Sequence, residues 1–233
     1  MRKVSSNYLI EFRFHGYARN YLKNLIYEVS RRFRVKGATQ KRVVPHISLY
    51  GPFKSNQQRN IVNSINEICQ SYSLVPFNIS GFSYFNNQKN KVIYADINPS
   101  SELKNLRRDL AKKLSSFTNS KLFDNKFDFS FHATIAFKDI DNQFNEIWKY
   151  LKSKEEKNIK QHLLRISIIK DGNILYEYDF IQRKLLNGKL SKRKSESRKT
   201  IGILKSKIGN DEESIKKETL FDKTKSYLRW HFS

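Results

Sequence analysis

From Phe127 to Phe137 every odd position is apolar (Phe127, Phe129, Phe131, Ala133, Ile135, Phe137), and the positions between them are polar or small. Strict alternation of that length predicts a β-strand with one face in a core and the other open. His132 and Thr134 fall together on the open face. Val43–Phe53 repeats the arrangement, with His46, Ser48 and Tyr50 on one face and Ile47 and Leu49 on the other. Two strands that each present an imidazole beside a hydroxyl are the most informative pattern in the chain.

The elements around them follow from the same periodicities. Tyr8–Phe14 predicts a first strand. Ala18–Val35 predicts an amphipathic helix with Tyr21, Leu22, Leu25, Ile26, Val29 and Phe33 on one stripe, ended by Gly37. Val43–Leu49 is the next strand, stopped by Gly51-Pro52. Asn56–Tyr72 is a second helix, in which Cys69 lies at helical spacing beside Ile61, Ile65 and Ile68 and reads as a buried structural thiol. Phe77–Phe85 and Lys91–Ile97 predict two strands joined by a polar turn. A third helix opens at Pro99-Ser100, capped by Ser100 or Ser101, with Leu103, Leu106, Leu110, Leu114 and Phe117 as its stripe. A loop over Thr118–Lys126 leads to the Phe127 strand. Asp139 or Asp141 caps a fourth helix carrying Phe144, Ile147, Trp148 and Leu151. His162–Ile169 and Ile174–Ile181 then form a hairpin around Asp171-Gly172.

The order strand, helix, histidine strand, helix occurs twice, which predicts an internal duplication with halves at about 7–75 and 77–181. Hairpins interrupt the helix–strand alternation, so the expected class is α+β with antiparallel sheets rather than a doubly wound parallel sheet. Residues 1–186 form the expected domain. Residues 187–233 read as a basic linker or arm, followed over Ile208–Ser233 by a short helix that docks on the core or orders on a partner.

The net charge of +23 changes the picture most. A surface that basic favours a polyanion, above all nucleic acid. Residues 189–233 hold thirteen Lys and Arg against six Asp and Glu, so most of the excess lies in the preceding residues. The single cysteine excludes a disulfide framework or a cysteine metal site. No apolar run is long enough to span a bilayer. The basic N-terminus lacks the apolar stretch of a secretory signal, and a first strand near Asn7 leaves little room for a transit peptide. A cytoplasmic monomer is the expectation.

A lone H-x-S/T carries little information, and His231-Phe232-Ser233 at the C-terminus also fits it. His46 and His132 differ from it in lying inside alternating strands at matching places in the two halves. Two imidazoles near neutral pKa can supply a base and an acid, and Ser48 and Thr134 can supply hydrogen-bond donors where negative charge builds. No Asp/Glu/His cluster at ligand spacing accompanies them, so no metal or cofactor is expected. Tyr50, on the same strand face, is a candidate for stacking on a base, with Phe53 and Tyr84 as weaker ones. Lys138, on the cleft parity after the second motif, is a candidate phosphate contact.

HISLYGPF and HATIAFK resemble the paired signatures of the two-histidine (2H) phosphoesterase superfamily, most closely its 2′-5′ RNA ligase / RNA 2′,3′-cyclic phosphodiesterase branch. The resemblance spans roughly residues 7–181. It implies two pseudo-symmetric lobes whose sheets flank a central cleft, with one motif from each. It implies catalytic His46, Ser48, His132 and Thr134 acting on one phosphate without a metal, His132 as base and His46 as acid. The implied partner is RNA or a small cyclic-phosphate nucleotide. The implied reaction is hydrolysis of 2′,3′-cyclic phosphates to 2′-phosphates, with reversible 2′-5′ ligation when an RNA 5′-hydroxyl attacks in place of water. Two further readings stay open: an RNA-end binding module with little turnover, and a 3′ exonuclease of the same superfamily.

Overall fold

The computed structural model describes residues 5–39, 43–87, 90–116, 118, 129–155 and 157–206. The chain divides into two compact units, Met1–Gly188 and Lys189–Ser233. In the first, the order is β1 (Ser6–Arg13), α1 (Gly16–Phe33), β2 (His46–Ser55), α2 (Gln58–Gln70), β3 (Val75–Asn87), β4 (Asn90–Pro99), α3 (Ser101–Ser115) and β5 (His132–Phe137). A 3₁₀ turn (Asp141–Gln143), α4 (Phe144–Lys152), β6 (Asn158–Leu163), β7 (Arg165–Lys170), β8 (Asn173–Asp179) and β9 (Lys184–Asn187) come next. A one-turn helix, α5 (Gly188–Ser191), crosses the division, and residues 194–206 of the second unit form a helix, α6. The basic arm expected there is thus helical over those residues, while the segment Ile208–Ser233 lies outside the described ones.

The fold is α+β, with two antiparallel sheets in the orders β2-β1-β7-β8-β9 and β5-β4-β3-β6. One His motif sits at the start of an edge strand in each. The run His162–Ile169, expected as one strand, is two strands in different sheets. Leu163 and Leu164 are both buried, which breaks the period-two alternation, and the chain passes there from one sheet to the other. As a result β7 pairs with β1, β8 with β7 and β9 with β8, so the segment 77–181 contributes to both sheets.

The helices form where the stripes dictate. Leu22, Leu25, Ile26 and Val29 of α1 are buried, as are Leu103, Leu106, Leu110 and Leu114 of α3. Ser100 caps α3 by accepting from the Leu103 N–H at 3.2 Å. α1 ends at Phe33, where Arg34 takes a left-handed conformation (φ 55°), and not at Gly37. Gly37 is needed for another reason: a Cβ there would lie 2.0 Å from the carbonyl oxygen of Phe137. Asp139 does not cap α4. Its carboxylate accepts from the backbone N–H groups of Lys36 and Gly37 at 2.7 and 2.8 Å, fastening the segment before β2 to the end of β5. β2 continues through Gly51-Pro52, because an edge strand tolerates a residue with no N–H to donate and Gly51 accepts a φ of 103°. One hydrophobic core serves both sheets. Phe12 of β1 packs edge-on against Phe77 of β3 with ring centroids 5.4 Å apart, and Cys69 is fully buried within that core.

Candidate active site

β2 and β5 each begin with their histidine, and the two strands, from different sheets, lie in contact. His46, Ser48, His132 and Thr134 are all half-buried, while Ile47, Leu49, Ala133 and Ile135 point into the core. The two imidazoles are mounted identically. Nδ1 of His46 lies 2.9 Å from the carbonyl oxygen of Val44, and Nδ1 of His132 lies 2.9 Å from that of Ser130, in each case two residues upstream. A carbonyl oxygen only accepts, so Nδ1 carries the proton in both rings. Nε2 is then the lone-pair nitrogen of the neutral imidazole and the nitrogen left to face a ligand.

The strands also share an irregularity immediately after the motif. In β2, Ser48 pairs with Glu11 and Tyr50 with Ile10, so Leu49 is an extra residue in the ladder. In β5, Thr134 pairs with Tyr94 and Ala136 with Ile93, so Ile135 is extra. Each bulge inverts the facing parity of the residues beyond it. Tyr50 and Ala136 therefore turn into the core, at 1% and 2% exposure. This corrects the expectation for Tyr50. Its ring packs against Phe53 (5.3 Å between centroids) and its hydroxyl lies 3.1 Å from Thr118 Oγ1, so it has no face to offer a base. Lys138 is not brought to the pair either. It lies six residues past His132, about 20 Å along an extended strand, and its φ of 70° takes the chain out of the sheet. Its ammonium sits over the Phe137 ring. Phe53 is buried, and Tyr84 packs on Phe144 and Trp148.

The neighbours of the two rings differ. On the five-stranded sheet, Arg13 is the cross-strand partner of His46 and Glu11 that of Ser48. Glu11 is 4% exposed; one carboxylate oxygen accepts from Arg13 Nε at 2.5 Å and the other lies 3.8 Å from His46 Nε2. The charged layer continues across the same sheet. Ser167 donates to Glu177 at 2.6 Å, and Arg165 bridges Glu177 and Asp179. Buried charges persist when paired in this way. On the four-stranded sheet, the His132 ring packs against Phe85 and Tyr94, with centroids 5.0 and 5.1 Å away, and Asp96 is its cross-strand partner. Burial pushes the His132 pKa below the ordinary histidine value. The Ser130 carbonyl and Asp96 oppose that shift, and the charge of His46 reinforces it.

Glu11, Arg13, Phe85 and Tyr94 were not singled out by sequence reasoning. A signal for the first two is present in YLIEFRF, where charges occupy alternate positions of an otherwise apolar strand; Phe85 and Tyr94 carry none, since a ring packed on a histidine and a ring in a core look alike in sequence. His15 and His162 lie apart from the motifs. His15 Nε2 contacts the His162 carbonyl at 3.2 Å, and burial lowers the pKa of both. Among the described residues no group of His, Cys, Asp and Glu is arranged to hold a metal ion, and no helix is long and apolar enough to cross a membrane.

Paired H-x-S/T strands on the edges of two antiparallel sheets define a two-histidine phosphoesterase. The family model described as the 2′-5′ RNA ligase superfamily matches residues 25–173, a span that includes both motifs. This chain belongs to that superfamily, whose chemistry is that of phosphoesterases acting on RNA. No curated protein matches it in sequence. Among solved structures it is similar to Usb1 of Kluyveromyces marxianus, at 9% identity and a TM-score of 0.44, over 79% of this chain and 98% of that one. The structure of the same yeast protein with uridine monophosphate matches at 9% identity and a TM-score of 0.43, over 72% of this chain and 97% of that one.

Proposed function

We propose that this chain opens 2′,3′-cyclic phosphates on RNA ends or nucleotides to give 2′-phosphates, with His132 as base and His46 as acid. The observation that carries the reading is the common mounting of the two rings, each held by Nδ1 on a backbone carbonyl so that Nε2 remains for proton transfer. Their surroundings support this division of roles. A base must start without its second proton, and burial disfavours that proton on His132. Glu11 Oε2 lies 3.8 Å from His46 Nε2, close enough to orient the ring that hands its proton to the leaving oxygen.

In this scheme a water oxygen attacks phosphorus and its proton passes to Nε2 of His132. The bond from phosphorus to O3′ breaks, and O3′ takes the proton from Nε2 of His46. Ser48 and Thr134 donate to the non-bridging oxygens as their charge grows. The products are a 2′-phosphate and a free 3′-hydroxyl. A 5′-hydroxyl of RNA in place of water would make a 2′-5′ linkage through the same groups. Side chains supply both proton transfers, so neither a metal nor a cofactor enters the scheme.

The test is a product assay on a short RNA ending in a 2′,3′-cyclic phosphate, with chelator present. The expected product is a 2′-phosphate, with the rate lowered by about 10²–10⁴-fold in His46→Ala and in His132→Ala. Full activity of the double variant would overturn the reading.

A further inference from the structure

The helix α3 carries a row of exposed polar side chains that the two-histidine chemistry does not use. Ser101, Lys104, Arg108, Lys112 and Ser115 succeed one another at spacings of three, four, four and three, which places them on one helix face. The three cations extend over about 12 Å of helix axis. Among the described residues, this face and the stretch Phe129–Phe131 line an open cavity of about 1240 Å³, larger than the 300–1,000 Å³ of an ordinary small-molecule site. Inside it the buried Arg107 guanidinium lies 4.2 Å from the centroid of the half-buried Phe129 ring. A row of cations is how proteins track the phosphates of a single strand; the Phe129 ring itself is taken up by Arg107 and, with centroids 4.9 Å apart, by Phe131. Lys112 does share the groove with Asp109, but Asp109 is engaged by the Tyr72 hydroxyl at 2.6 Å.

The position of the groove gives it a role. Two of its lining residues are Asp96 and Ser130. Asp96 is the cross-strand partner of His132, and the Ser130 carbonyl holds the Nδ1 of that ring. The groove is therefore lined both by the backbone segment on which the candidate base is mounted and by the exposed face of α3.

We propose that this groove binds the single-stranded RNA that leads to the reacting end, with Lys104, Arg108 and Lys112 against successive phosphates. The inference rests on the cyclic-phosphate reading for what happens at that end, but not for the binding itself. It makes the substrate a polynucleotide: a mononucleotide fills the two-histidine site and leaves the groove empty.

The test compares the wild-type chain with Lys104→Gln/Arg108→Gln/Lys112→Gln, and with a control of equal charge change on α1 and α4, Arg31→Gln/Lys149→Gln/Lys152→Gln. Binding of a fluorescent 10-nucleotide single-stranded RNA is followed by anisotropy over a range of salt. Turnover is followed on a nucleoside 2′,3′-cyclic phosphate and on the same RNA ending in one. For the groove variant the expected result is RNA affinity at least tenfold weaker at low salt, a log Kd against log salt slope smaller by about 2 (three contacts at about 0.7 each), and mononucleotide turnover within twofold of wild type. The control should retain most of its affinity. Unchanged affinity and slope in the groove variant, or an equal loss in the control, would overturn the proposal. If neither substrate is turned over by wild type, the cyclic-phosphate reading fails and the anisotropy measurement still decides the groove.

Discussion

Glu11 Oε2 lies 3.8 Å from His46 Nε2, while the same carboxylate is held from the other side by Arg13. No ring packs on His46 as Phe85 and Tyr94 pack on His132 among the described residues. The surroundings of the pair are therefore unequal, and in the proposed scheme Glu11 is a positioning residue for His46. Glu11→Gln keeps the shape and removes the charge. It is expected to lower kcat by a part of the 10²–10⁴-fold worth of a proton-transfer group, of order tenfold, with KM for a small cyclic nucleotide little changed. A rise in KM with kcat intact would mean that the carboxylate serves binding instead.

Burial of His132 has a consequence for pH. A base with a lowered pKa stays neutral to lower pH, so the acidic limb of kcat/KM should fall below the ordinary histidine value of 6.5. Phe85→Ala lets water reach the ring and should move that limb back towards 6.5. A limb already at 6.5 in the wild type, unmoved by the substitution, would show that His132 is not the group titrating.

Stability should track the same histidines. Burial lowers the pKa values of His15, His132 and His162 in the folded state. As pH falls below about 6.5 the unfolded chain binds protons at these positions and the folded chain does not. The unfolded state then holds more protons, so stability is full above 6.5 and declines as pH drops towards the folded pKa values. Thermal unfolding between about pH 7.5 and 5 should show a falling Tm, less steep in His132→Gln. A flat profile would contradict the burial of these rings.

Tyr50 separates a packing role from a binding role. Tyr50→Phe removes the contact with Thr118 and keeps the buried ring, which should cost about 0.5–1.5 kcal/mol of stability and leave KM for RNA unchanged. Tyr50→Ala should cost about 3–5 kcal/mol, the range for emptying a large aromatic site. A loss of RNA affinity in Tyr50→Phe with no loss of stability would reverse the assignment.

The Asp139 clasp ties the segment before β2 to the end of β5 through two backbone N–H groups, which also hold its carboxyl below the usual range. Asp139→Ala loses both acceptors on an exposed site, at about 1 kcal/mol or a Tm lower by about 2–4 °C. Its contribution is present above the ordinary carboxylate pKa and lost as pH falls through the lowered one. Gly37→Ala should be worse, since its Cβ meets the Phe137 backbone. Equal stability of both variants with wild type would show that the clasp contributes nothing to the fold.

Local pattern was enough to establish the class of fold, the two histidine strands, the stripes of α1 and α3, the Ser100 cap and the burial of Cys69. These depend on periodicity along one segment or on a single capping oxygen, which the chain carries wherever it folds. The features that escaped the pattern arise between elements. The bulges at Leu49 and Ile135 insert one residue against a partner strand, and that alone sends Tyr50 inward while Ser48 stays on the open face. The passage of the chain at Leu164 into the other sheet depends on β1 offering an edge to β7. The inequality of His46 and His132 depends on which side chains β1, β3 and β4 bring beside them. Period-two parity belongs to one strand; register, sheet membership and the charge beside an imidazole are properties of pairs, and the pairs form only when the chain folds.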